Sequence, residues 1–446
     1  MISVDTLRAD HMSLHGYSRR TTPRIDAFAQ RGVTFDHARA PWPKTVPSML
    51  SMFTSRPPHV TGVMFGSRGQ YIQDDELLLA EIAKRQGLRT GALVSNGVLG
   101  AATNFGQGFD TYVETYKLLQ GPVGFRADTV TDMAVQWLNG VAQDEPFFLW
   151  LHYVDPHAIY EPPQEYAAPF LNDDLYDPTL LRLNDDDGNF NGGVAGRYWR
   201  RNGEQAEHGW YVANYDGEVA YTDAEIGRFL DELEGRGLMD NSLVILTADH
   251  GESLGEHSYF FEHGWYPYNA TAWIPFVVYW PDVPQPGLRI SYPVSLLHLV
   301  PTVVDMMGWP VDENEDMRFH WRSLSPVLYG DVDRVDDYVI VESGEGGLRK
   351  AEFLRSIEDA RWKLIRIHDE EYRRGMQGAE YELYEVRTDP METENVIADH
   401  PELANLMKEL LAERLAQAGP AGDRPEQMPQ YSEEEIENLR SLGYIR

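Results

Sequence analysis

The sequence contains no cysteine among its 446 residues. This absence excludes disulfide bonds, a thiolate nucleophile and cysteine ligands to a metal. No apolar run approaches the roughly 20 residues that a membrane-spanning helix needs. No basic segment followed by an apolar one opens the chain, so no signal peptide is visible. We therefore expect no membrane span and a cytoplasmic location, with a periplasmic or secreted location as the alternative if the N-terminus is truncated.

Positive charge is scarce. The chain has 38 Lys and Arg residues against 71 Asp and Glu residues, which gives a formal net charge of −33. Such acidity argues against nucleic acid or an anionic membrane as a partner. A small anionic substrate would also meet a repulsive overall field. A site for an anion therefore needs local positive charge from metal ions, histidine or arginine. The sequence does not indicate an oligomeric state.

Strand-like and helix-like segments alternate through the first three quarters of the chain. We predict strands at Met1–Asp5, Arg89–Asn96, Pro146–Val154, Leu243–Thr247 and Ile274–Trp280. We predict helices in the RIDAFAQRG segment after Pro23 and at Pro47–Thr54, Leu77–Gln86, Asp128–Asn139 and Ala213–Glu234. Continuous apolar strands separated by helices indicate an α/β domain over residues 1–330, with a large, mostly parallel sheet between layers of helices.

The pattern changes after about Gly330. The segments VDDYVIVESG, EFLRSIEDARWKLIRIH and AEYELYEVRTDP alternate in the manner of antiparallel strands, and Pro401–Ala418 is typical of a helix. We therefore predict a smaller α+β subdomain over residues 331–446, with a small antiparallel sheet, a helix and a polar tail. A long excursion between Pro156 and Glu207, which includes Tyr198 and Trp199, is expected to wall the active-site pocket.

Polar residues stand where several predicted strands end. They are Asp5, Asn96, the Asp155–His157 segment and the Asp249–His250 pair. In open α/β sheets, sites form beyond the carboxyl ends of the strands. Each residue by itself is equally typical of a helix cap or a loop turn. Together, acids and imidazoles at the ends of separate strands are what a site for one or two divalent cations requires.

The segment TVPSMLSMFTS, from Thr45 to Ser55, places a hydroxyl group at the start of a predicted helix. The positive end of the helix dipole would favour a nucleophilic oxygen there, directed at phosphorus or sulfur. A simple N-cap role for Thr45 is the alternative. Lys44, Arg56 and Arg68 lie nearby in sequence and could supply positive charge to an anion, or could be solvated surface residues.

The motifs of the chain resemble those of the sulfatase family, in the alkaline phosphatase superfamily, and occur in the same order. They are DTLRADHMSLHGY, TTPRIDAFAQRGVTFDHARAPW, TVPSMLSMFTS, HYVDPHAIYEPP, YDGEVAYTDAEIGRFLDEL and TADHGESLGEH. Near the C-terminus, ELYEVRTDPMETENV and ENLRSLGYI also resemble family motifs. The resemblance covers nearly the whole chain and implies the alkaline phosphatase/sulfatase-like fold.

The resemblance implies a role for several residues at once. Asp5, Asp249 and His250 match metal ligands, and Thr45 matches the nucleophile, which also contacts the metal. His157 matches a histidine that contacts the sulfate or phosphate oxygens or protonates the leaving group.

Further residues match the anion-binding part of the family site. His263 matches a basic position that faces the anion, and Asn96 falls where a substrate contact is common. Asp10 and His257 match less clearly. His257 would serve a second metal ion or would simply pack in its loop.

The departures from the family pattern are informative. The formylglycine of sulfatases forms from Cys or Ser in a C/S-x-P-S-R pattern, whereas this chain has Thr45 and Met49 at the corresponding positions. Oxidation of threonine would give a ketone, so the aldehyde hydrate is not available. Thr6 replaces a second acid and removes a metal ligand, and Trp273 stands where relatives often have arginine. A threonine nucleophile instead resembles the phosphodiesterases, nucleotide pyrophosphatases and phosphoethanolamine transferases of the superfamily.

We therefore expect a metal-dependent hydrolase that cleaves phosphate diesters or monoesters, phosphonates or sulfate esters through a covalent Thr45 intermediate, with Ca, Mg, Mn or Zn as the ion. Phosphorus is favoured because a sulfated threonine lacks the geminal hydroxyl through which formylglycine expels sulfate. Three alternatives remain. They are a sulfatase that acts without formylglycine, a phosphoryl transferase to an alcohol, and a non-catalytic fold that has kept its metal site.

Overall fold

A computed structural model describes residues 1–64, 71–118, 126–142, 144–181, 205–312, 321–344, 354–367, 380–419 and 429–441. Fourteen strands lie in these ranges: β1 Ile2–Val4, β2 Val33–Arg39, β3 Arg89–Val94, β4 Thr111–Glu114, β5 Phe147–Tyr153, β6 Val244–Ala248, β7 Ser253–Leu254, β8 Phe260–Glu262, β9 Trp273–Tyr279, β10 Leu288–Ser295, β11 Val339–Ser343, β12 Leu354–Glu358, β13 Lys363–Arg366 and β14 Tyr381–Tyr384.

The α-helices within the described ranges are α1 Pro23–Ala29, α2 Thr45–Thr54, α3 Pro58–Thr61, α4 Leu79–Arg85, α5 Ala127–Asn139, α6 Gln164–Ala167, α7 His208–Gly235, α8 Asn269–Ala272, α9 Leu299–Met306, α10 Ser325–Leu328, α11 Pro401–Gln417 and α12 Glu433–Ser441. Short 3-10 turns lie at Ala9–His11, Ser13–His15, Gly97–Leu99, Ala101–Thr103, Thr115–Lys117, Leu238–Asn241, Glu256–Ser258 and Leu296–His298. In this part of the chain, no helix is both long and apolar enough to cross a membrane.

Eight strands form the main sheet, in the order β10-β2-β9-β6-β1-β5-β3-β4. Only β9 runs antiparallel to its two neighbours, and every other pairing in the sheet is parallel. All residues of the central strands β1 and β6 are buried, as expected for strands covered by helices on both faces. The predicted mostly parallel α/β sheet is therefore confirmed.

Three strands of this sheet, β2, β4 and β10, are absent from the sequence prediction. Strand β2 carries Arg39, a charged residue that is 1% exposed. Its guanidinium binds the Glu358 carboxylate of β12, with Nε 2.8 Å from Oε2. A buried charge needs such a partner, and this partner lies 319 residues away, so no local pattern indicates it.

The helix α2 begins two residues earlier than predicted. Lys44 is the residue before the helix and Thr45 is its first helical residue, so Pro47 lies third rather than first. Proline is tolerated there because the N–H groups of the first helical turn have no intrahelical acceptor. This placement makes Thr45 part of the helix and not its N-cap.

The strands β11 to β14 form a separate antiparallel sheet in sequential order, which confirms the predicted small C-terminal sheet. The helix α11 packs against this sheet through Ala404, Met407 and Leu411, whose spacing places them on one face. The backbone N–H of Glu342 donates to the Pro41 carbonyl at 2.9 Å. The small sheet is thereby joined to the segment that precedes α2.

Candidate functional site

The parallel pairing of β1 with β6 brings two acidic residues together at one edge of the main sheet. Val4 is in register with Ala248, so Asp5 and Asp249 each follow the end of a neighbouring strand. Asp5, Asp249 and His250 are all fully buried, and each offers an oxygen or nitrogen atom within 4.8 Å of the others. Within the described ranges this is the one such group of three acidic or histidine residues.

The imidazole of His250 presents a lone pair to this cluster. Its Nδ1 lies 2.8 Å from the Gly251 carbonyl, which can only accept, so Nδ1 carries the proton. Burial and the positive charge of His263 hold the pKa of His250 well below its usual value, and the ring is therefore neutral. Its Nε2 lies 3.2 Å from Thr45 Oγ1 and 3.4 Å from the Asp249 carboxylate.

Thr45 reaches the cluster because α2 starts there. Ser48, on the next turn of the same helix, donates to the Asp249 carbonyl at 2.6 Å and fixes the helix start against the loop after β6. The first N–H groups of α2 and the positive end of its dipole therefore face the same place as the Thr45 hydroxyl. This arrangement favours negative charge at Thr45 Oγ1.

The two carboxylates fit a divalent cation. Asp5 Oδ1 and Asp249 Oδ2 are buried and have no hydrogen-bond partner in the part of the chain that the structure describes. Burial, followed by the charge of Asp5, raises the pKa of Asp249 well above its usual value. Burial acts in the same direction on Asp5, but the neighbouring imidazoles of His152 and His157 outweigh it and lower its pKa. Hard oxygen donors with one imidazole suit a divalent ion, which would remove the repulsion.

The structure places two further histidines beside this cluster. The ring of His263 lies 4.4 Å from that of His250 and 5.3 Å from that of His157, measured between centroids. His263 Nδ1 lies 3.1 Å from a carboxylate oxygen of Glu252, and His157 Nδ1 donates to the Ala158 carbonyl at 2.8 Å. These contacts hold both rings with Nδ1 engaged, and they bring together the two predicted anion-binding histidines.

The other predicted substrate contacts have different surroundings. Lys44 is buried, and a Cβ placed on Gly264 would lie 3.6 Å from its Nζ, so the ammonium lies beside the loop of His263. Asn96 donates from Nδ2 to Asp5 Oδ2 and accepts from the Val98 N–H at 3.0 Å. Its amide therefore orients the Asp5 carboxylate.

Of the two arginines that lie near Thr45 in sequence, only Arg56 falls within the described residues. Arg56 donates to the carboxylate of Glu76 and is occupied by that ion pair. Arg68 lies outside the described residues, as do Tyr198 and Trp199 of the long excursion.

Asp10 and His257 point away from the cluster. Both oxygens of Asp10 are bound by the guanidinium of Arg8, at 3.0 and 2.7 Å. His257 stacks on Tyr268, with ring centroids 3.7 Å apart and planes 5° apart. Packing in the loop, the second of the two roles considered for His257, is therefore the one that the structure supports.

The residues that depart from the family pattern occupy structural positions. Thr6 adopts φ +53°, and its carbonyl accepts from Tyr215 Oη at 2.7 Å. Met49 is fully buried in the core. Trp273 donates from Nε1 to the Asp36 carbonyl at 2.7 Å, and the Arg39 guanidinium lies 5.7 Å from its ring.

Sequence reasoning missed His152, which lies within the apolar run of β5. Trp150 Nε1 donates to Ser3 Oγ at 2.8 Å, so the single Ser3 proton is available to the acceptor His152 Nδ1 at 2.9 Å. The His152 proton then lies on Nε2, 3.6 Å from Asp5 Oδ2. A histidine in a fully buried strand, adjacent to strand-end acids, was the one signal that could have indicated this role.

Comparison with known protein families gives a match over most of the chain. A protein-family model described as "Sulfatase" matches residues 1–309. The chain belongs to the sulfatase family. A second model of this kind, "N-sulphoglucosamine sulphohydrolase, C-terminal", matches residues 255–419. As a family member, the protein is a hydrolase that acts on ester bonds, and the predicted sulfatase-family and alkaline phosphatase superfamily membership is confirmed.

Similar proteins cover most of the chain. A sulfatase of Formosa agariphila is 27% identical over 356 residues, which cover 69% of this chain and 68% of the relative. An arylsulfatase of Clostridium perfringens is 21% identical over 473 residues, which cover 93% of each chain.

Solved structures share the fold. A protein in complex with its substrate D-glucosamine-2-N,6-O-disulfate has a TM-score of 0.75 at 20% identity, covering 95% of this chain and 99% of its own. The phosphonate monoester hydrolase of Agrobacterium radiobacter has a TM-score of 0.72 at 20% identity, with the same coverage.

Proposed function

We propose that the protein is a metal-dependent hydrolase of phosphorus esters, either phosphate mono- or diesters or phosphonates, and that Thr45 is its nucleophile. The observation that carries this proposal is the position of Thr45 Oγ1, 3.2 Å from His250 Nε2 at the start of α2. The hydroxyl thus adjoins a cluster of two buried carboxylates and a neutral imidazole.

Asp5, Asp249 and His250 would hold the divalent ion, with Thr45 within reach of it. When bound, this ion supplies Lewis-acid stabilisation of the negative charge that develops on the nucleophile and on the substrate oxygens. The buried carboxylate oxygens without hydrogen-bond partners in the described ranges support this assignment. Whether the ion is Ca, Mg, Mn or Zn is a matter for metal analysis.

The reaction would proceed in two displacements. In the first, Thr45 Oγ1 releases its proton to solvent water and bonds to phosphorus, while the bond from phosphorus to the leaving oxygen breaks. His157, which lies beside His263, would protonate that leaving oxygen. In the second, water attacks phosphorus, the bond to Thr45 breaks, and the threonine oxygen recovers a proton. His263 and Lys44 would bind the remaining substrate oxygens.

Threonine is the reason to favour phosphorus over sulfur. A phosphothreonine ester can be hydrolysed by direct attack of water at phosphorus, as the second displacement requires. A sulfated threonine would need attack at sulfur, because its carbon carries no second hydroxyl that could expel sulfate by elimination.

The second candidate function is a sulfatase that acts without formylglycine. The relatives favour it, since an arylsulfatase aligns with 93% of this chain. A transferase to an alcohol acceptor would use the same first displacement and differ only in the group that attacks phosphorus.

The test is a panel of nitrophenyl sulfate, phosphate monoester, phosphate diester and phosphonate, assayed after metal analysis of the purified protein. We expect turnover of a phosphorus ester, its loss after dialysis against a chelator, and its recovery with the native metal. Thr45→Ala should lower kcat by about 10³-fold or more, with Thr45→Ser as the matched control that keeps a hydroxyl.

Four results would contradict parts of the proposal. A clear preference for the sulfate would overturn phosphorus in favour of the sulfatase function. Unchanged turnover in Thr45→Ala would overturn the nucleophile. A product that carries an added alcohol in place of water would identify a transferase, and no turnover of any ester would indicate a non-catalytic fold.

A further inference from the structure

A cavity apart from the Thr45 cluster lies between the main sheet domain and the C-terminal subdomain. Its volume is about 190 Å³. It is formed by the segments that precede α2 and α3, by the chain that leads into β11 and by the end of α11. The side chains that matter for its chemistry are His59, Trp321, Arg322, Asp336, Tyr338 and Arg414. A cavity of about 150 Å³ binds benzene. This cavity therefore has room for one substituted six-membered ring.

The buried histidine of this cavity is oriented by a carboxylate. His59 Nδ1 lies 2.6 Å from Glu342 Oε1, and because a carboxylate only accepts, Nδ1 donates. The second Glu342 oxygen accepts from Arg355 Nε at 3.1 Å. His59 Nε2 is buried and has no hydrogen-bond partner among the described residues, and the side chain is 6% exposed. A buried polar atom of this kind is expected to bind a ligand or water.

The charges that line the cavity leave a positive excess. The charge of Glu342 is already compensated by Arg355 and by the His59 N–H. Arg322 and Arg414 then face a single further carboxylate, Asp336, which gives a local charge of +1 in a chain of net charge −33. The cavity therefore favours a ligand with one negative charge over a neutral or cationic one.

Asp336 can accept hydrogen bonds from a ligand. Its carboxylate oxygens lie 3.9 Å from Arg414 Nη1 and 3.9 Å from His298 Nε2, beyond hydrogen-bond distance. A carboxylate cannot accept from a purely anionic group, but it can accept from a hydroxyl. Donors on the arginines and acceptors on Asp336 and His59 therefore match a ring with several hydroxyl groups.

Aromatic walls complete the match. Trp321 and Tyr338 both line the cavity and are partly exposed to it. The ring of Trp321 is held edge-on by His298, with centroids 5.0 Å apart. Flat aromatic faces pack against the C–H face of a sugar ring, while the polar groups around them bind its hydroxyls.

From these contacts we propose that this cavity is a binding site for one anionic sugar unit, a hexose ring that bears a carboxylate or a sulfate. Arg414 and Arg322 bind the anionic group, Asp336 and His59 bind ring hydroxyls, and Trp321 with Tyr338 packs against the ring. The site is separate from Thr45 and does not depend on the reaction proposed there.

The test measures binding of glucuronate to the full chain by ligand-observed NMR titration. Glucuronate is not an ester and is therefore no substrate for the reaction centre. Glucose is the control for the charge, and benzoate is the control for the hydroxyl groups. We expect saturable binding of glucuronate, about tenfold or more tighter than of either control. Arg414→Gln and Arg322→Gln should each weaken it by about tenfold.

Two variants make the result specific. Arg361→Gln removes an exposed arginine of the same subdomain, paired with Glu385 outside the cavity, and should leave the glucuronate Kd unchanged. Thr45→Ala should also leave it unchanged, so a failure of the proposed reaction does not affect this test. Unchanged binding in both Arg414→Gln and Arg322→Gln, equal binding of benzoate, or no saturation at about 10 mM would each overturn the proposal.

Discussion

Two pairs of buried carboxyl groups lie near the carboxyl ends of the central strands, and they differ in what surrounds them. Asp5 and Asp249 share their surroundings with His250, and the Thr45 hydroxyl adjoins them. Asp155, two residues after β5, is instead paired with Glu218 in the middle of α7. Burial and then the charge of Asp155 raise the pKa of Glu218 well above its usual value.

The comparison indicates what distinguishes the candidate cation site from the other buried acidic pair. In both pairs one oxygen of each carboxyl group lacks a hydrogen-bond partner within the described ranges. Only the first pair has a neutral imidazole as a third donor. The second pair gains a backbone N–H, from Glu161 to Glu218 Oε1 at 2.7 Å. Without a cation, such a pair is stable when it retains a proton.

Loss of one carboxylate from the first pair should have the largest effect. We expect Asp249→Asn to weaken divalent metal binding by about 100-fold or more, because it removes a charged ligand. In a chelator the same variant should be as stable as the wild type or more so, because the repulsion with Asp5 is gone. Calorimetric titration with the native metal and thermal unfolding in EDTA measure the two effects. Equal metal affinity in variant and wild type would remove Asp249 from the metal site.

Loss of the hydrogen-bonded chain from Trp150 through Ser3 to His152 should have the next largest effect. His152→Phe removes the imidazole N–H that lies 3.6 Å from the Asp5 carboxylate and is expected to weaken metal binding by about 10- to 100-fold. His152→Gln, whose amide can still donate, should recover part of that loss. Nitrogen-15 NMR of the wild type should show the proton of His152 on Nε2. A proton on Nδ1, or equal metal affinities in the two variants, would contradict this arrangement of the His152 ring.

The second pair should affect stability and its pH dependence instead of metal binding. Burial raises the pKa of Asp155 from 3.8 to about 7. The folded state therefore binds more protons than the unfolded state over this interval, so the contribution of Asp155 to stability is present below pH 3.8 and is lost as the pH rises to about 7.

Asp155→Asn removes this dependence. Relative to the wild type, its unfolding free energy should increase by roughly 4 kcal/mol between pH 4 and pH 8, since the interval from 3.8 to about 7 spans about three pH units and each corresponds to about 1.4 kcal/mol. Urea unfolding at the two pH values measures the difference. Its metal affinity should equal that of the wild type, and a loss comparable to that of Asp249→Asn would show that the two pairs act as one site.

The smallest effect on metal binding is expected at Asp10. Arg8 occupies both of its oxygens and also binds the Glu252 carbonyl at 3.0 Å and the Glu256 carboxylate at 2.7 Å. Asp10→Asn should therefore change the metal affinity by no more than about twofold, whereas the folded state should be less stable because the buried guanidinium loses a counter-charge. Metal titration and urea unfolding of this variant measure the two quantities.

The fold class and the grouping of Asp5, Asp249 and His250 could be predicted from the sequence. Apolar segments such as Val244–Ala248, followed directly by Asp249 and His250, indicate a buried parallel strand that ends in ligands, because side-chain burial and strand-end chemistry are both local properties. The helix at Thr45, the proposed nucleophile, was recognisable for the same reason, although it starts two residues earlier than predicted.

Only the tertiary structure decided which polar residues share the site. Asn96 donates to Asp5, Arg8 binds Asp10, and His257 stacks on Tyr268. None of these partners could be predicted from the sequence. His152 lies within an apolar strand, and its imidazole comes within 3.6 Å of the Asp5 carboxylate only because β5 pairs with β1, which places His152 opposite Ser3. Hydrogen bonds and ion pairs of buried groups depend on which strands are neighbours in the sheet, and that order is set by packing of the whole chain and not by local sequence.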